Sequence, residues 1–466
     1  MMWPLGGAAE APALIVDDEV VTYGALAAAV DTVAARVLDK PGLVLLVADW
    51  TLDAVILHLA CLQTGTPVLL VDPTLETARV LEIVSAYEPR LVVGASADEI
   101  PAYAPTGWQD TWLRCTAAHG TGDAQLIVLT SGSTGEPKGV AVMKDALVAN
   151  AAAIIDRLEI DAHTRGITSL PLQYSFGLSV LHSHLAAGAS LILTRHRPPA
   201  RRFWELLMSG GVTHLAGITL TFELLERRLA EQWPPSLLQL AHSGAPMSAE
   251  LQRRLVDTAA ANDAAFFAMY GQTEFMTRIT AADLVGRPDK VGSVGTALSG
   301  IALRVEGGVI TVQSPSAMLG YVASAAELAA LRDDGVAERF HGTGDLGELD
   351  DDGFLWIRGR TSRLCKPLGR RISLDEVERH LREDAGVEAI AVSVADRVLL
   401  GVLDDAEPGA VALALAKTLH LPPSAVAASA LSVVPRTSGG KIDYATAATA
   451  LDAATGLEDA RAAARS

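Results

Sequence analysis

The sequence predicts an α/β protein: a large N-terminal domain of α/β sheets, a β-rich subdomain, and a small α+β C-terminal domain. Three observations predict it. The first third alternates short apolar runs with Ala- and Leu-rich segments, the texture of strand–helix units on a mainly parallel sheet. From about Gly292, short β runs are separated instead by Gly pairs and Asp runs. Near Gly359 the texture changes again, to an amphipathic helix followed by two strands.

Residues 43–47 read as a strand, 53–63 as a helix that Gly65 can stop, and 67–71 as the next strand. Strands recur at 91–93 and 125–129. Further on, 303–306 and 309–313 are short strands. The run Asp350-Asp351-Asp352-Gly353 is a turn between strands at 347–349 and 354–357, which makes a hairpin. An amphipathic helix over 374–382 precedes strands at 389–394 and 398–402. The tail after Leu451 is Ala-rich and charged, a surface helix or a frayed end. The expected domains are 1–361 and 362–466.

With 466 residues the chain has room for two or more domains of roughly 100–200 residues each. Its net charge of -18 argues against wrapping nucleic acid or docking on an anionic membrane. Cys61, Cys115 and Cys365 are scattered, with no CxxC pattern, so neither a disulfide framework nor structural zinc is expected. The N-terminus lacks a basic region followed by an apolar stretch, and no apolar run is long enough for a membrane span. The expected location is the cytoplasm.

The most informative segment is Leu129-Thr130-Ser131-Gly132-Ser133-Thr134-Gly135-Glu136-Pro137-Lys138-Gly139, which follows a strand. Glycines let backbone N–H groups approach an anion, hydroxyls add donors, and Lys138 adds charge, as a triphosphate requires. It is not a Walker A loop, because Pro137 and Gly139 flank the lysine. The GxGxxG string over 342–347 is not a dinucleotide fingerprint, because a hairpin rather than a helix follows it. His182 and His184 are two apart, a spacing that does not share one helical face, so they are expected to be structural.

Other segments fall in a telling order. They are Val21-Thr22-Tyr23, the run 65–73, the run 170–179, Ser243-Gly244-Ala245-Pro246, Tyr270-Gly271-Gln272-Thr273-Glu274, Thr343-Gly344-Asp345, Gly359-Arg360 with Lys366 and Gly369, and Pro435-Arg436-Thr437-Ser438-Gly439-Gly440-Lys441. Together with the phosphate-loop segment, and over nearly the whole chain, this series resembles the adenylate-forming superfamily of acyl- and aryl-CoA ligases, luciferases and peptide-synthetase adenylation domains. It is most like a compact stand-alone acid ligase.

The resemblance implies an ATP site made by Thr130, Ser131, Gly132, Ser133, Thr134, Gly135 and Lys138 at the phosphates. Ser243, Gly244 and Ala245 would lie along the adenine, with Tyr270, Gly271 and Gln272 beside it. Asp345 and Arg360 would hold the ribose; a carboxylate suits a diol because it accepts two hydrogen bonds. Thr273 is implied at the α-phosphate and Glu274 as the Mg²⁺ ligand, which accords with the preference of that ion for hard oxygens. Lys441 is the implied catalytic cation, offsetting charge as a carboxylate attacks the α-phosphorus and pyrophosphate leaves. Lys441, Thr273 and Glu274 are thus the catalytic candidates. A small C-terminal domain carrying Lys441 would rotate on a hinge at Ser362, where the family usually has Asp or Lys.

The acid pocket is implied at Tyr174, Ser175 and Phe176, with Gly217, Ile218 and Thr219 on another wall. Relatives that activate α-amino acids carry an Asp where this chain has Ser175. A buried ammonium without a partner is costly, so the substrate is expected to lack an α-amine: an aryl, arylacrylic or fatty acid. The acceptor is expected to be the thiol of CoA or the phosphopantetheine arm of a separate acyl carrier protein. Transfer to nitrogen or oxygen is the alternative, which release of AMP without a thiol would reveal. A catalytically dead binding protein is disfavoured, because Lys138, Glu274, Asp345 and Lys441 are all present.

Overall fold

The computed structural model describes residues 5–37, 41–98, 100, 102–106, 111–116, 119–131, 137–370, 372–395, 397–403, 405–436 and 442–455. The chain forms two compact units. One runs to Leu303 and includes Val312–His341; the other comprises Arg304–Thr311 and the chain from Gly342 onward. Residues 342–361, expected with the N-terminal domain, therefore group by contact with the second unit.

The first unit holds two sheets. The nine-stranded sheet runs Thr296–Ala297, Thr280–Asp283, Ala265–Tyr270, Gln239–His242, His214–Gly217, Arg165–Ile167, Ser190–Leu193, Pro12–Val16, Glu19–Thr22. Its centre is parallel and its edges are antiparallel. The eight-stranded sheet runs Gly320–Val322, Pro137–Val142, Leu126–Ser131, Val68–Val71, Val44–Val47, Leu91–Val93, Thr111–Arg114, Tyr103–Pro105. Its four central strands, from Leu126–Ser131 to Leu91–Val93, are parallel.

Parallel strands covered on both faces read as unbroken apolar runs, and that is why Val-Leu-Leu-Val occurs in both Val44–Val47 and Val68–Val71. The main core joins residues of both sheets, such as Leu14, Leu191, Leu46 and Leu70, through the helices Leu52–Thr64, Lys144–Leu158 and Ser175–Ala187. The first and last of these are buried nearly all round; the first is mostly apolar, whereas the last also encloses serines and histidines. Gly65 ends the first as expected, with φ 73° and its N–H on Cys61 O.

Ala302–Glu306, Val309–Gln313, His341–Leu349 and Leu355–Arg360, most of whose residues belong to the second unit, form a four-stranded sheet. The expected hairpin is present: Asp350 Oδ1 accepts from the N–H groups of Asp352 and Phe354, and Gly353 sits at φ 80°. Beyond it lie a two-stranded sheet, Leu364–Cys365 with Ile372–Ser373, and a three-stranded sheet of Ala389–Val394, Arg397–Val402 and Val426–Ala430. The helices Leu374–Asp384 and Pro408–Thr418 cover one face through Val377, Leu381 and Leu415. Tyr444–Ala454 covers the other through Ala447 and Leu451. The mixed α/β architecture with a small α+β portion is as the sequence predicts.

Cys61, Cys115 and Cys365 form no disulfide. Among the described residues no helix is long and apolar enough to cross a membrane.

Candidate functional site

The phosphate-loop segment is flanked by two antiparallel strands. Leu126–Ser131 leaves the parallel centre of its sheet and pairs antiparallel with Pro137–Val142, the innermost pairs being Thr130 with Lys138 and Ser131 with Pro137. Gly132, Ser133, Thr134 and Gly135, and the side chain of Ser131, lie outside the described residues. Thr130 Oγ1 donates to Lys138 O at 3.3 Å. Lys138 is exposed, its Nζ 5.8 Å from the Tyr321 ring centroid. Gly139 has little room: a Cβ would stand 2.6 Å from Ile127 Cγ2 and 2.7 Å from the Tyr87 hydroxyl oxygen.

The second element is built on the strand Ala265–Tyr270, which ends at Tyr270 and turns through the single 3₁₀ turn Thr273–Phe275. A Cβ on Gly271 would lie 1.6 Å from Thr277 O, so only glycine lets the chain fold back on itself here. Met276 and Thr277 both take left-handed backbone, at φ 49° and 88°. For a β-branched threonine that is strained, and strain of this kind persists only where the surroundings hold it. The surroundings do hold it: Phe275 is buried, and Met318 N–H donates to Glu274 O at 2.8 Å.

Glu274 is thereby presented at a defined place. The Tyr321 hydroxyl donates to its Oε1 at 2.7 Å. Tyr321 lies on the strand Gly320–Val322, which pairs antiparallel with Pro137–Val142, so one side chain connects the phosphate-loop hairpin to Glu274. Burial, and then the hydrogen bond to the Glu274 carboxylate, push the phenol pKa up, so it stays a donor. Tyr321 was not singled out from sequence. Among the described residues no group of three His, Cys, Asp or Glu could hold a metal ion by itself. A single carboxylate oxygen set beside a phosphate loop suits Mg²⁺, which takes part of its shell from phosphates and water.

The acid-pocket candidates converge on the same place. Ser175 and Phe176 begin the helix Ser175–Ala187, with Tyr174 at its N-cap. Ser175 Oγ is 3.0 Å from Thr273 Oγ1, and Thr277 Oγ1 is 3.4 Å from Ser175 O. The other wall comes from neighbouring parallel strands, His214–Gly217 and Gln239–His242, at whose carboxyl ends the loops bearing Ile218 and Ser243 to Pro246 emerge. Gly244 has φ 89°, and a Cβ there would be 2.9 Å from Ile218 Cγ2 and 3.6 Å from Phe176 Cδ1. Phe176, Ile218 and Gly244 are therefore neighbours. Gly217 has little room, since a Cβ would be 2.7 Å from Thr221 Cγ2. The Thr219 hydroxyl ties the two loops together, 3.1 Å from Ala245 O, 2.9 Å from Pro246 O and 3.0 Å from His242 Nε2. Ser243 is buried, and Gln272 immediately precedes the Thr273–Phe275 turn.

His182 and His184 diverge as their spacing requires. His182 stacks on His58 with Nε2 atoms 2.8 Å apart, and His184 on His214 with Nε2 3.1 Å from Nδ1. All four are buried, which pushes their pKa values down, to about 4 for His58 and His184. They are neutral packing partners.

In the second unit, Asp345 and Arg360 face each other across the hairpin, and Arg360 Nε pairs with Asp345 Oδ1 at 2.8 Å. Asp345 is almost fully buried, whereas the Arg360 side chain is mostly exposed. Gly344, at φ 73°, gives its carbonyl to the Thr361 hydroxyl at 2.9 Å. Ser362 sits exposed in the single turn Thr361–Arg363. After it the chain is anchored. Arg363 bonds Asp375 and, at 2.7 Å, Glu378, and lies 3.6 Å over the Tyr444 ring. Arg436 and Ile442 pair antiparallel. Lys441 lies outside the described residues.

The fold is mixed α/β, and comparison with known proteins gives the family. Residues 5–322 match the family described as AMP-binding enzyme, and the chain belongs to that family. A 2-succinylbenzoate–CoA ligase of Listeria monocytogenes serotype 4b (strain F2365) is 27% identical over 270 residues, 58% of this chain and 56% of its own. An indoleacetate–CoA ligase of Aromatoleum aromaticum (strain DSM 19018 / LMG 30748 / EbN1) is 28% identical over 279 residues, 57% of this chain and 53% of its own. The chain thus spans a little over half the length of these relatives. Among solved structures, ATP-bound MatB from Rhodopseudomonas palustris superposes with a TM-score of 0.76 at 22% identity, covering 95% of this chain and 96% of that one. The o-succinylbenzoate CoA synthetase MenE from Bacillus subtilis, in complex with its acyl-adenylate intermediate OSB-AMP, gives 0.73 at 22%, covering 94% and 95%. These structures share the fold.

Proposed function

We propose that the chain is an AMP-forming acid–thiol ligase, working in the cytoplasm, that activates a carboxylic acid with ATP and passes the acyl group to CoA. The observation that carries this reading is the 3.0 Å approach of Ser175 Oγ to Thr273 Oγ1. There the start of the acid-pocket helix meets the nucleotide motif, and there a carboxylate would have to meet an α-phosphorus.

In the proposed first step, a carboxylate oxygen of the acid attacks the α-phosphorus. The bond from that phosphorus to the bridging oxygen breaks, and pyrophosphate leaves with the electron pair. Thr273 binds the α-phosphate. Thr130, Lys138 and the hairpin turn, with Ser131, Gly132, Ser133, Thr134 and Gly135, bind the β- and γ-phosphates. Tyr270, Gly271, Gln272 and the 243–245 loop flank the adenine, and Asp345 with Arg360 holds the ribose. Mg²⁺ bound at Glu274 would neutralise phosphate charge. Lys441 orients carboxylate and phosphate and offsets the charge that develops between them. The domain boundary at 361/362 makes residues 362–466 a lid that turns about Ser362 and withdraws Lys441. A thiolate then attacks the acyl carbon and AMP leaves.

Ser175 offers no partner for an ammonium, so the acid has no α-amine. Among aryl, arylacrylic and fatty acids, the aryl class is favoured by the names of the relatives. CoA is favoured as acceptor on the same ground, with a separate carrier protein's phosphopantetheine as the second thiol.

The test is ATP–pyrophosphate exchange without thiol, over aryl, arylacrylic, fatty and amino acids, followed by addition of CoA to the best acid. Exchange with a non-amino acid and thioester formation on adding CoA are expected. ATP binding without exchange for any acid would overturn the reading.

A further inference from the structure

Four residues beyond Glu274 lies Arg278, a residue with no place in the nucleotide chemistry above. Only 2% of it is exposed. Its Nη1 donates to Ser179 Oγ at 3.0 Å and to Thr277 Oγ1 at 3.1 Å, and its Nε is 3.3 Å from Met269 Sδ. The guanidinium lies 3.8 Å over the ring of Phe176. All these partners are neutral. No carboxylate among the described residues pairs with Arg278, and its Nη2 makes no hydrogen bond to any of them. Its charge acts on two buried neutral rings, His184 and His214, and helps hold their pKa values down.

An enclosed cation without a counter-charge is costly, and an apolar side chain of similar volume would fill the space without that cost. Burial pushes the Arg278 pKa down to about 9, which still leaves it charged at pH 7. The place is informative as well. Phe176, whose ring the guanidinium covers, neighbours Ile218 and Gly244 at the pocket wall. Thr277, bonded to Arg278, also reaches the backbone of Ser175. The cation therefore stands at the edge of the acid pocket, among hydroxyls that could turn toward an incoming oxygen anion.

We propose that Arg278 recognises a second acidic group, so that the substrate is a dicarboxylate, activated at one carboxyl and held by the other at Arg278. This rests on the adenylation reading above. A guanidinium and two hydroxyls suit a carboxylate, and the ion pair supplies the missing counter-charge. The identity of the carbon frame is left to the shape of the pocket; the anionic end is fixed by Arg278.

The experiment is ATP–pyrophosphate exchange with matched pairs that differ by one carboxylate: 2-succinylbenzoate against 3-benzoylpropionate, and glutarate against butyrate. The wild type is expected to favour the diacid in kcat/KM by about 30-fold or more in at least one pair, the loss typical of removing one partner of a buried charge pair. R278Q is expected to collapse that ratio toward one, mainly through the KM of the diacid, while R278K retains part of it. Monoacids that exchange as well as their diacids in the wild type would overturn the proposal alone. So would R278Q lowering both members of a pair equally, since that is what a purely structural arginine would do. No exchange with these or any other acid would overturn the adenylation reading, and this one with it. The wild-type comparison needs no variant to fold.

Discussion

Two short turns, each at the end of a strand, behave in opposite ways. Thr273–Phe275 follows Ala265–Tyr270, and Thr361–Arg363 follows Leu355–Arg360. The first is locked. Gly271 folds tightly against Thr277 O, two residues hold left-handed backbone, and Glu274 is fixed at its carbonyl by Met318 and at its carboxylate by Tyr321. The second is more open: Thr361 and Ser362 are exposed, with the Thr361 hydroxyl on Gly344 O, the Arg360–Asp345 pair before the turn and the Arg363 cluster at its end. A turn that must hold a carboxylate in place is over-determined. The turn proposed above as the hinge is the less constrained of the two.

The comparison can be broken from either side. The largest effect is expected from Gly271→Ala. Its Cβ meets a backbone oxygen that cannot move without disturbing Met276 and Thr277. A loss of at least about 2 kcal/mol of stability is expected in urea unfolding. A fall of about 100-fold in pyrophosphate exchange should accompany it, since small displacements of positioning groups cost that much. Near wild-type exchange would mean that the first turn is not rigid in use. Ser362→Pro should act selectively, because it restricts the backbone of Ser362 and of the preceding residue. Exchange should stay within a few-fold, while thioester formation drops by about 10-fold, as expected where a conformational step is gated. Equal losses in both half-reactions would remove Ser362 as the hinge. The smallest effect should come from Tyr321→Phe, which deletes only the bond to Glu274. A roughly 3- to 10-fold rise in the Mg²⁺–ATP requirement is expected for one charge-assisted hydrogen bond, and an unchanged value would mean that Tyr321 does not position Glu274.

Much of the fold was legible because local rules and burial agreed. The strands Val44–Val47, Val68–Val71 and Leu91–Val93 are apolar throughout because both their faces are covered, and Gly65 takes the left-handed cap its position foretold. The site was legible where glycines and hydroxyls cluster in the chain. It was not legible where the partner is remote. Tyr321 is 47 positions from Glu274 and reaches it only because Gly320–Val322 pairs beside the phosphate-loop hairpin. Arg278 looked like one more arginine near a motif; that its partners are all neutral is a fact of packing. Texture placed the last domain boundary at 361/362; contacts group residues 342–361 with the chain that follows them.

The buried imidazoles have a consequence for the protein's tolerance of acid. His58, His184 and His242 have folded pKa values near 4, against an ordinary 6.5, and His182 and His214 lie well below it, all through burial. Above about 6.5 both the folded and the unfolded chain keep them neutral, and they do not bear on stability. As pH falls from there toward 4, the unfolded chain takes up protons that the folded one refuses, so the balance tilts toward unfolding. Melting temperature measured against pH should therefore fall steadily over that window, and a flat profile would show that these rings are not held neutral. Five uncharged rings in one interior give the molecule a floor in acidity, set by its packing.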